Sequence, residues 1–150
     1  MTQTVNTKRA PDAHERVEGT PRHWRVMFEV EGQPIPKARP RVVVGRGGRS
    51  RAFTPKATRD WEQQVGWAAL AAGVRQAEGD VALDLTFRRK GRRRADLDNM
   101  IKACLDGLNG IAYSDDYQVV ALSASVQYNC KRPGVTIKIR RIGWPGINTQ

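Results

Sequence analysis

The sequence predicts an α+β domain with a small mixed β-sheet of about four strands packed by two main helices. Apolar residues alternate with polar ones in four segments, 24–30, 81–87, 120–128 and 135–139, which is the pattern of half-buried strands. Two other segments, from 54 to about 73 and from about 96 to 110, place apolar residues on one helical face. The order strand, loop, helix, strand, helix, strand, strand is typical of a small layered structure with a mixed sheet.

The first strand is followed by a long basic loop. Trp24, Val26, Phe28 and Val30 alternate with polar residues in this strand. Residues 32–54 then contain three prolines and a Gly-rich, Arg-rich stretch, within which a short hairpin is predicted from 42–44 and 52–53. Loops of this length in small domains are usually functional or mobile.

The ends of the helices are marked by local chemistry. Thr54 is expected to be the N-cap of the first helix and Pro55 its first residue, and the helix is expected to end near Gly73. The second helix begins near Asp96 or Asp98 and ends at 109–110, an Asn-Gly pair. The expected packing residues are Trp61, Val65, Trp67, Ala68, Ala69 and Ala72 in the first helix and Met100, Ile101, Cys104, Leu105 and Leu108 in the second.

The composition indicates a nucleic-acid partner. The chain has 150 residues, 26 basic and 15 acidic, with a formal net charge of +11, and 19 of the basic residues are arginines. Arginine binds phosphate in a bidentate geometry, so this charge on a domain able to fold points first to nucleic acid. Residues 23–146 are expected to form one domain, between a disordered tail at 1–22 and a short tail at 147–150.

Several other classes are excluded. No apolar run approaches 18 residues, so we expect no membrane span. The first 22 residues lack the apolar middle of a secretory signal, and the two cysteines, Cys104 and Cys130, have no metal-type spacing, so a reduced cytoplasmic protein is expected. The two histidines, His14 and His23, argue against histidine-based chemistry.

The positive charge is concentrated in two segments. The charges of the N-terminal tail nearly cancel, and the excess lies in the loop 37–51 and in the run 88–94, where six of the seven residues are basic. A solvated face is the alternative interpretation of such a run. The residues expected to contact DNA are Lys37, Arg39, Arg41, Arg46, Arg49, Arg51, Arg92, Arg93 and Arg94.

An acidic cluster interrupts this basic protein. The acids between positions 96 and 116 are Asp96, Asp98, Asp106, Asp115 and Asp116. Carboxylates repel phosphate, so acids that face DNA need a cation, and Mg²⁺ prefers oxygen ligands shared among one or two carboxylates, phosphate and water. Such a cluster can activate water for attack on a phosphodiester, while Lys102 steadies the charge on the phosphate.

The placement of these acids depends on where the second helix begins. If the chain is extended there, the carboxylates of Asp96 and Asp98 lie on one side; if it is helical, they diverge by about 160°. We favour the strand-to-helix junction. Asp115 and Asp116 precede the third main strand, whose start is expected beside the first pair. Capping of helices and turns is the alternative explanation of these acids.

Taken together, these motifs resemble the RusA family of Holliday-junction resolvases. They cover roughly residues 24–142 in the family's order, although Ala95 separates the arginine run from Asp96, where a basic residue often stands in the family. The matching segments are the run Arg92 to Ala103 with its Asp-Leu-Asp-Asn, the stretch Leu105 to Gly110, Asp115 to Val119, the loop Gly32 to Arg41, and Phe53 to Pro55.

This resemblance implies a homodimeric, Mg²⁺-dependent endonuclease that cuts four-way DNA junctions symmetrically in recombination and repair, with Mn²⁺ as a plausible substitute. By position, Asp96, Asp98 and Asp116 match the essential metal-binding acids, Asp115 their companion, and Lys102 the essential lysine. Two other hypotheses remain at this point. One is a non-catalytic basic DNA-binding module whose aspartates cap helices; the other is a sugar-nucleotide transferase, against which the short chain argues.

Overall fold

Two β-sheets are present in the part of the chain that the structure, a computed structural model, describes, residues 24–142. The strands are β1 (Arg25–Glu31), β2 (Arg41–Val44), β3 (Ser50–Phe53), β4 (Val81–Arg88), β5 (Val119–Gln127) and β6 (Gly134–Arg141), and the helices are α1 (Lys56–Ala71) and α2 (Leu97–Leu108). The larger sheet has the order β1-β6-β4-β5, while β2 and β3 form a separate hairpin. The predicted α+β class is confirmed. The predicted tails at 1–22 and 147–150 lie outside the described residues.

The direction of the strands decides where the ends of α2 lie. Strand β4 is antiparallel to β6 and parallel to β5. Parallel neighbours need a crossover connection, and α2 supplies it. Val81 therefore pairs with Val119 at one end of the sheet, and Arg88 pairs with Gln127 at the other.

The core lies between one face of the larger sheet and the two helices. Alternate residues of the central strands β4 and β6 point into it, and every one of them is at most 3% exposed. The buried residues of these two strands' inner face are Val81, Leu83, Leu85, Phe87, Val135, Ile137 and Ile139, packed with Trp61, Val65, Ala69, Met100, Cys104 and Leu108 from the helices. Cys104 is thus a core residue, as predicted.

The two helices approach each other closely at a pair of glycines. A Cβ added at Gly66 would lie 3.1 Å from the Gly107 carbonyl oxygen, and one added at Gly107 would lie 2.7 Å from the Glu62 carbonyl oxygen. The first contact is tight and the second is shorter than a Cβ tolerates, so glycine at these positions permits the helix spacing.

Three details of the sequence prediction are wrong. Trp67 is 61% exposed, because a position six residues after Trp61 is rotated about 120° from it on a helix. Pro55, with φ and ψ of −54° and 146°, is the N-cap of α1 and not its first residue. Thr54 therefore lies one residue before the N-cap position that was expected for it. Ala72 is exposed beyond the end of α1.

The alternation predicted for β5 is also wrong at its start. Val120 is 56% exposed, because the register shifts between Val81 and Ala82 and leaves Val120 without a partner on β4. A bulge of this kind turns the side chains of the residues before it to the opposite face of the sheet. No helix within residues 24–142 is long and apolar enough to cross a membrane.

Candidate active site

Asp96 and Asp98 lie at the junction between the loop after β4 and the first turn of α2. Asp96 is the N-cap residue, with extended φ and ψ of −67° and 118°, and Asp98 is in the first helical turn. The junction begins one residue earlier than the favoured arrangement requires, because Leu97 and Asp98 are already helical and only Asp96 is extended. The helical position of Asp98 follows from the pattern of α2, in which Met100, Cys104 and Leu108 point into the core.

Capping does not account for the Asp96 carboxylate. Its side chain forms no capping hydrogen bond with the helix, although it stands in the N-cap position. Its Oδ2 accepts a hydrogen bond from Nδ2 of Asn99 over 3.3 Å. Both Asp96 and Asp98 are exposed, and within residues 24–142 neither carboxylate forms an ion pair. The two acids are therefore free to bind a cation.

Lys102 is exposed one turn after Asp98 on α2. Positions four apart lie on the same helix face. Among the ion pairs of the described chain, none joins Lys102 to a carboxylate. Its ammonium group is thus available at the same surface as Asp98.

Asp115 and Asp116 have different local roles in the turn before β5. Asp115 Oδ1 accepts the backbone N–H of Tyr117 over 3.2 Å and caps the 3-10 turn Asp116–Gln118. The capping interpretation therefore holds for Asp115. Asp116 is exposed, and its side chain has no hydrogen bond or ion pair among the described residues.

Gln118 fixes this turn to the body of the domain, a role that the sequence analysis missed. It is 5% exposed, and its Nε2 donates to the carbonyl oxygens of Ala77 and Gly79 over 3.0 and 2.7 Å. Its Oε1 accepts the N–H and the hydroxyl of Ser114, each over 2.8 Å. A glutamine that follows an Asp-Asp pair by two residues could have suggested a capping box.

Tyr113 shows which part of α2 Asp116 faces. The Tyr113 hydroxyl donates to the carbonyl oxygen of Leu105 over 2.7 Å. Burial raises the pKa of Tyr113 far above its usual value of 10.0, and the negative charges of Asp116 and Asp106 raise it further. Asp116 therefore lies near the C-terminal half of α2.

The two aspartate pairs lie at opposite ends of α2 within one chain. Asp96 and Asp98 begin the helix, which has 12 residues and so a length of about 18 Å at roughly 1.5 Å per residue. Asp115 and Asp116 follow its far end, because the start of β5 pairs with the start of the parallel strand β4. The expectation that the start of β5 lies beside the Asp96–Asp98 pair is wrong for this reason.

The fit of these residues to a divalent cation is therefore partial. Within residues 24–142, no three Asp, Glu, His or Cys side chains are grouped so that they could hold a metal ion. The donor chemistry does fit, since Mg²⁺ takes carboxylate oxygens and binds through one or two carboxylates together with substrate phosphates and water. Asp96 and Asp98 offer such a pair, and Asp116 does not complete it within the same chain.

The basic residues predicted to contact DNA fall into two groups. Arg39, the hairpin residues Arg41, Arg46, Arg49 and Arg51, and the run Arg92, Arg93 and Arg94 are all exposed. The guanidinium of Arg94 lies over the ring of Tyr128, 5.2 Å from its centre. Lys37 differs from all of them, because its Nζ is 2.5 Å from Glu62 Oε1 and 2.7 Å from Asp106 Oδ2.

The side chains of the first two residues of the basic run form contacts within the domain. Arg88 donates to Thr136 Oγ1 over 2.6 Å. Arg89 is only 9% exposed and donates to the carbonyl oxygen of Pro34 over 3.0 Å. These two arginines hold the loop and the sheet together, and the exposed charge of the run is that of residues 90–94.

These features define a basic α+β domain with free carboxylates beside exposed arginines, a class suited to processing nucleic acid. A family model described as endodeoxyribonuclease RusA matches residues 31–140, and the chain belongs to this family of nucleases.

Two curated proteins are similar to this chain. The chain is 30% identical over 142 residues to the uncharacterized protein YqaN of Bacillus subtilis (strain 168), covering 78% of this chain and 96% of that protein. It is 28% identical over 114 residues to the crossover junction endodeoxyribonuclease RusA of Aquifex aeolicus (strain VF5), covering 71% of this chain and 84% of that protein.

Proposed function

We propose that the protein is a Mg²⁺-dependent endodeoxyribonuclease that resolves four-way DNA junctions by paired symmetric nicks in recombination and repair. The observation that carries this proposal is the free state of Asp96 and Asp98. Two exposed carboxylates without a capping or ionic role stand directly after the exposed Arg92–Arg94 run in a chain of net charge +11. Membership of a nuclease family supports the same reaction.

The residues of the proposed site have distinct tasks. Asp96 and Asp98 would hold Mg²⁺, which would generate or orient the attacking water and stabilise charge on the phosphate. Asn99 holds one oxygen of the Asp96 carboxylate and so orients the other oxygen. Lys102, on the same face as Asp98, places a positive charge against the phosphate on which negative charge develops.

The exposed arginines provide binding without base readout. Arginine contacts to phosphate position a nuclease on DNA and carry no sequence information directly. A four-way junction offers phosphates from several strands at once, and the β2–β3 hairpin and the Arg92–Arg94 run present charge from two separate segments. This arrangement favours recognition of DNA structure.

A homodimer accounts for the separation of the two aspartate pairs. Resolution requires two nicks in opposed strands, and a two-fold dimer supplies two equivalent sites. Asp116 lies near the C-terminal end of α2 in its own chain, so a second copy that brings its own turn to Asp96 and Asp98 would complete the site. The proposed site therefore combines Asp96 and Asp98 with Asp116, and Asp115 beside it, of the partner subunit.

The first experiment is a cleavage assay on a synthetic four-way junction and a linear duplex of the same sequence, with Mg²⁺, with Mn²⁺ and with a chelator. We expect paired nicks only in the junction and only with a divalent ion. Asp98→Asn should abolish nicking and keep junction binding, while the exposed Asp60→Asn is the matched control. Binding of the junction without cleavage under every condition would instead support a non-catalytic DNA-binding module.

The second experiment tests the shared site. Asp98→Asn and Asp116→Asn proteins, each inactive, are mixed and allowed to exchange subunits. In a mixed dimer one site carries both substitutions and the other carries neither, so nicking should return, up to one intact site per mixed dimer. If the two acids acted within one chain, every site would carry one substitution and the mixture would stay inactive.

A further inference from the structure

The first residues of the basic loop, 32–38, form a series of hydrogen bonds with the rest of the domain. Gly32 N–H donates to the carbonyl oxygen of Pro133, and the Gln33 side chain accepts the N–H of Lys90. Pro34 accepts a hydrogen bond from the buried Arg89. We call residues 32–38 the strap, because they run from the end of β1 past the end of β4 to the start of α2.

Lys37 is the last fixed point of the strap. Its ammonium group bridges Glu62 on α1 and Asp106 on α2, with side chains 22%, 19% and 27% exposed respectively. Its backbone N–H donates to the carbonyl oxygen of Asn99 over 2.8 Å. One residue thus binds both helices through its side chain and the first turn of α2 through its backbone.

The local charge argues against a phosphate contact at this position. One ammonium faces two carboxylates, so the group as a whole is negative and does not attract DNA. Burial lowers the pKa of Lys37, but the hydrogen bonds and charges of Asp106 and Glu62 outweigh it, and the net pKa is raised. The ammonium therefore stays charged up to a higher pH than that of a free lysine.

The contacts continue from Lys37 to the proposed site. Asn99, whose carbonyl receives the Lys37 N–H, donates its side-chain amide to Asp96 Oδ2 over 3.3 Å. The geometry points to Lys37 as a positioning residue: by bridging Glu62 and Asp106 it holds the strap on the first turn of α2 and so sets Asn99 and, through it, the Asp96 carboxylate. This inference rests on the proposed nuclease function.

The test compares Lys37→Met with Lys37→Arg and with the control Lys56→Met, which removes an equal charge from the exposed Lys56–Asp60 pair of α1. Junction affinity is measured without divalent ion over a range of salt, and the single-turnover nicking rate is measured with Mg²⁺ at saturating protein. Nuclear magnetic resonance follows the side-chain amide of Asn99 and the carboxylate of Asp96. Circular dichroism checks that each variant is folded.

For Lys37→Met we expect a fall of about 10- to 100-fold in the nicking rate, the range typical of residues that orient a metal ligand. Affinity should change less than twofold, its salt dependence should stay the same, and the Asn99 and Asp96 resonances should move. Lys37→Arg should recover part of the rate. Asp106→Asn, which keeps the size of the side chain, should reproduce the slower rate if the methionine variant does not fold.

Two results would overturn the inference. A weaker affinity with a salt slope smaller by about 1 and a normal saturated rate would make Lys37 a phosphate contact. Unmoved Asn99 and Asp96 resonances would show that the strap does not set the carboxylate. If the unsubstituted protein does not nick junctions at all, the proposed function fails, and the resonances still decide whether Lys37 positions Asp96.

Discussion

Gly107 of α2 faces the carbonyl oxygen of Glu62 on α1 so closely that a Cβ at position 107 would lie 2.7 Å from it. Asp106 precedes Gly107 on α2. The close approach of the helices brings the side chains of Asp106 and Glu62 within reach of the same ammonium group, that of Lys37. The spacing of the two helices therefore underlies the attachment of the strap.

Gly107→Ala should destabilise the protein although alanine favours helix. The propensity gain is about 1 kcal/mol, whereas overpacking costs about 1–3 kcal/mol. The nearest atom is a backbone oxygen and cannot rotate away, so we expect a net loss of about 1–2 kcal/mol in the free energy of unfolding by urea. Gly45→Ala is the control: its nearest neighbour would be 3.6 Å away, and a change within about 0.5 kcal/mol is expected. Equal effects at both positions would refute the close contact.

We expect Asp115 to contribute to the stability of the fold and Asp116 to contribute to catalysis. Asp115→Ala removes the cap of the 3-10 turn and should cost about 1 kcal/mol of unfolding free energy. Asp116→Asn removes no contact within the described residues and should leave stability unchanged within about 0.5 kcal/mol while abolishing Mg²⁺-dependent nicking. Urea titrations and the junction assay on both variants measure the two effects, and the reverse assignment would contradict the structure.

Stability should fall at alkaline pH. Burial raises the pKa of Cys104 from 9.0 to about 12, with the Trp61 indole opposing it weakly, and burial also raises the pKa of Tyr113. A group whose pKa is raised on folding contributes its full stability below the unfolded value and loses it as the pH rises toward the folded value. We therefore expect the free energy of unfolding to decline from about pH 9 upward.

The alkaline decline is measured by urea titration between pH 8 and pH 11. Cys104→Ala should begin its decline at higher pH than the unsubstituted protein, because Tyr113 and Lys37, whose pKa values are also raised, ordinarily titrate above Cys104. Iodoacetamide at pH 8 should modify Cys104 only after unfolding, since the native thiol is buried and uncharged. Rapid native labelling of Cys104 would contradict this account.

Junction binding should depend steeply on salt. About eight phosphate contacts per proposed dimer, at roughly 0.9 counterions each, give a slope near −7 in a plot of log affinity against log salt. Replacing Arg46, Arg49 and Arg51 of the hairpin by alanine should weaken binding and flatten the slope, while Arg75→Ala, after α1, should do neither. A slope near zero would reject electrostatic docking by the arginines.

The fold was predictable because its signals are local. The alternation in β4 and β6 and the stripe Met100, Cys104, Leu108 of α2 need only the geometry of a single element, and each lies in the core as expected. One error arose where a neighbouring strand decides, since the exposure of Val120 follows from the register shift opposite β4. The exposure of Trp67, by contrast, follows from its helical position, about 120° from that of Trp61.

The residues of the candidate site stay a prediction from the sequence, whereas the structure shows how those residues are arranged. Asp98 and Lys102 share a face because helical spacing places them there. The sequence could not show that Asp115 caps a turn while Asp116 does not, since both fit a turn equally well. Nor could it show that Lys37, one of many basic residues in its loop, faces two carboxylates that lie 25 and 69 positions away along the chain.

The sequence by itself determined the class of fold, the basic charge of the protein and the positions of the candidate acids along the chain, because composition, periodicity and spacing are properties of the chain. The tertiary structure decided which charged side chains form no ion pair and which acids lie close together. The parallel pairing of β4 and β5 puts Asp98 and Asp116 at opposite ends of α2, and the close packing of α1 on α2 turns Lys37 inward. Distances between residues remote in sequence depend on strand direction and helix packing, which no local pattern encodes.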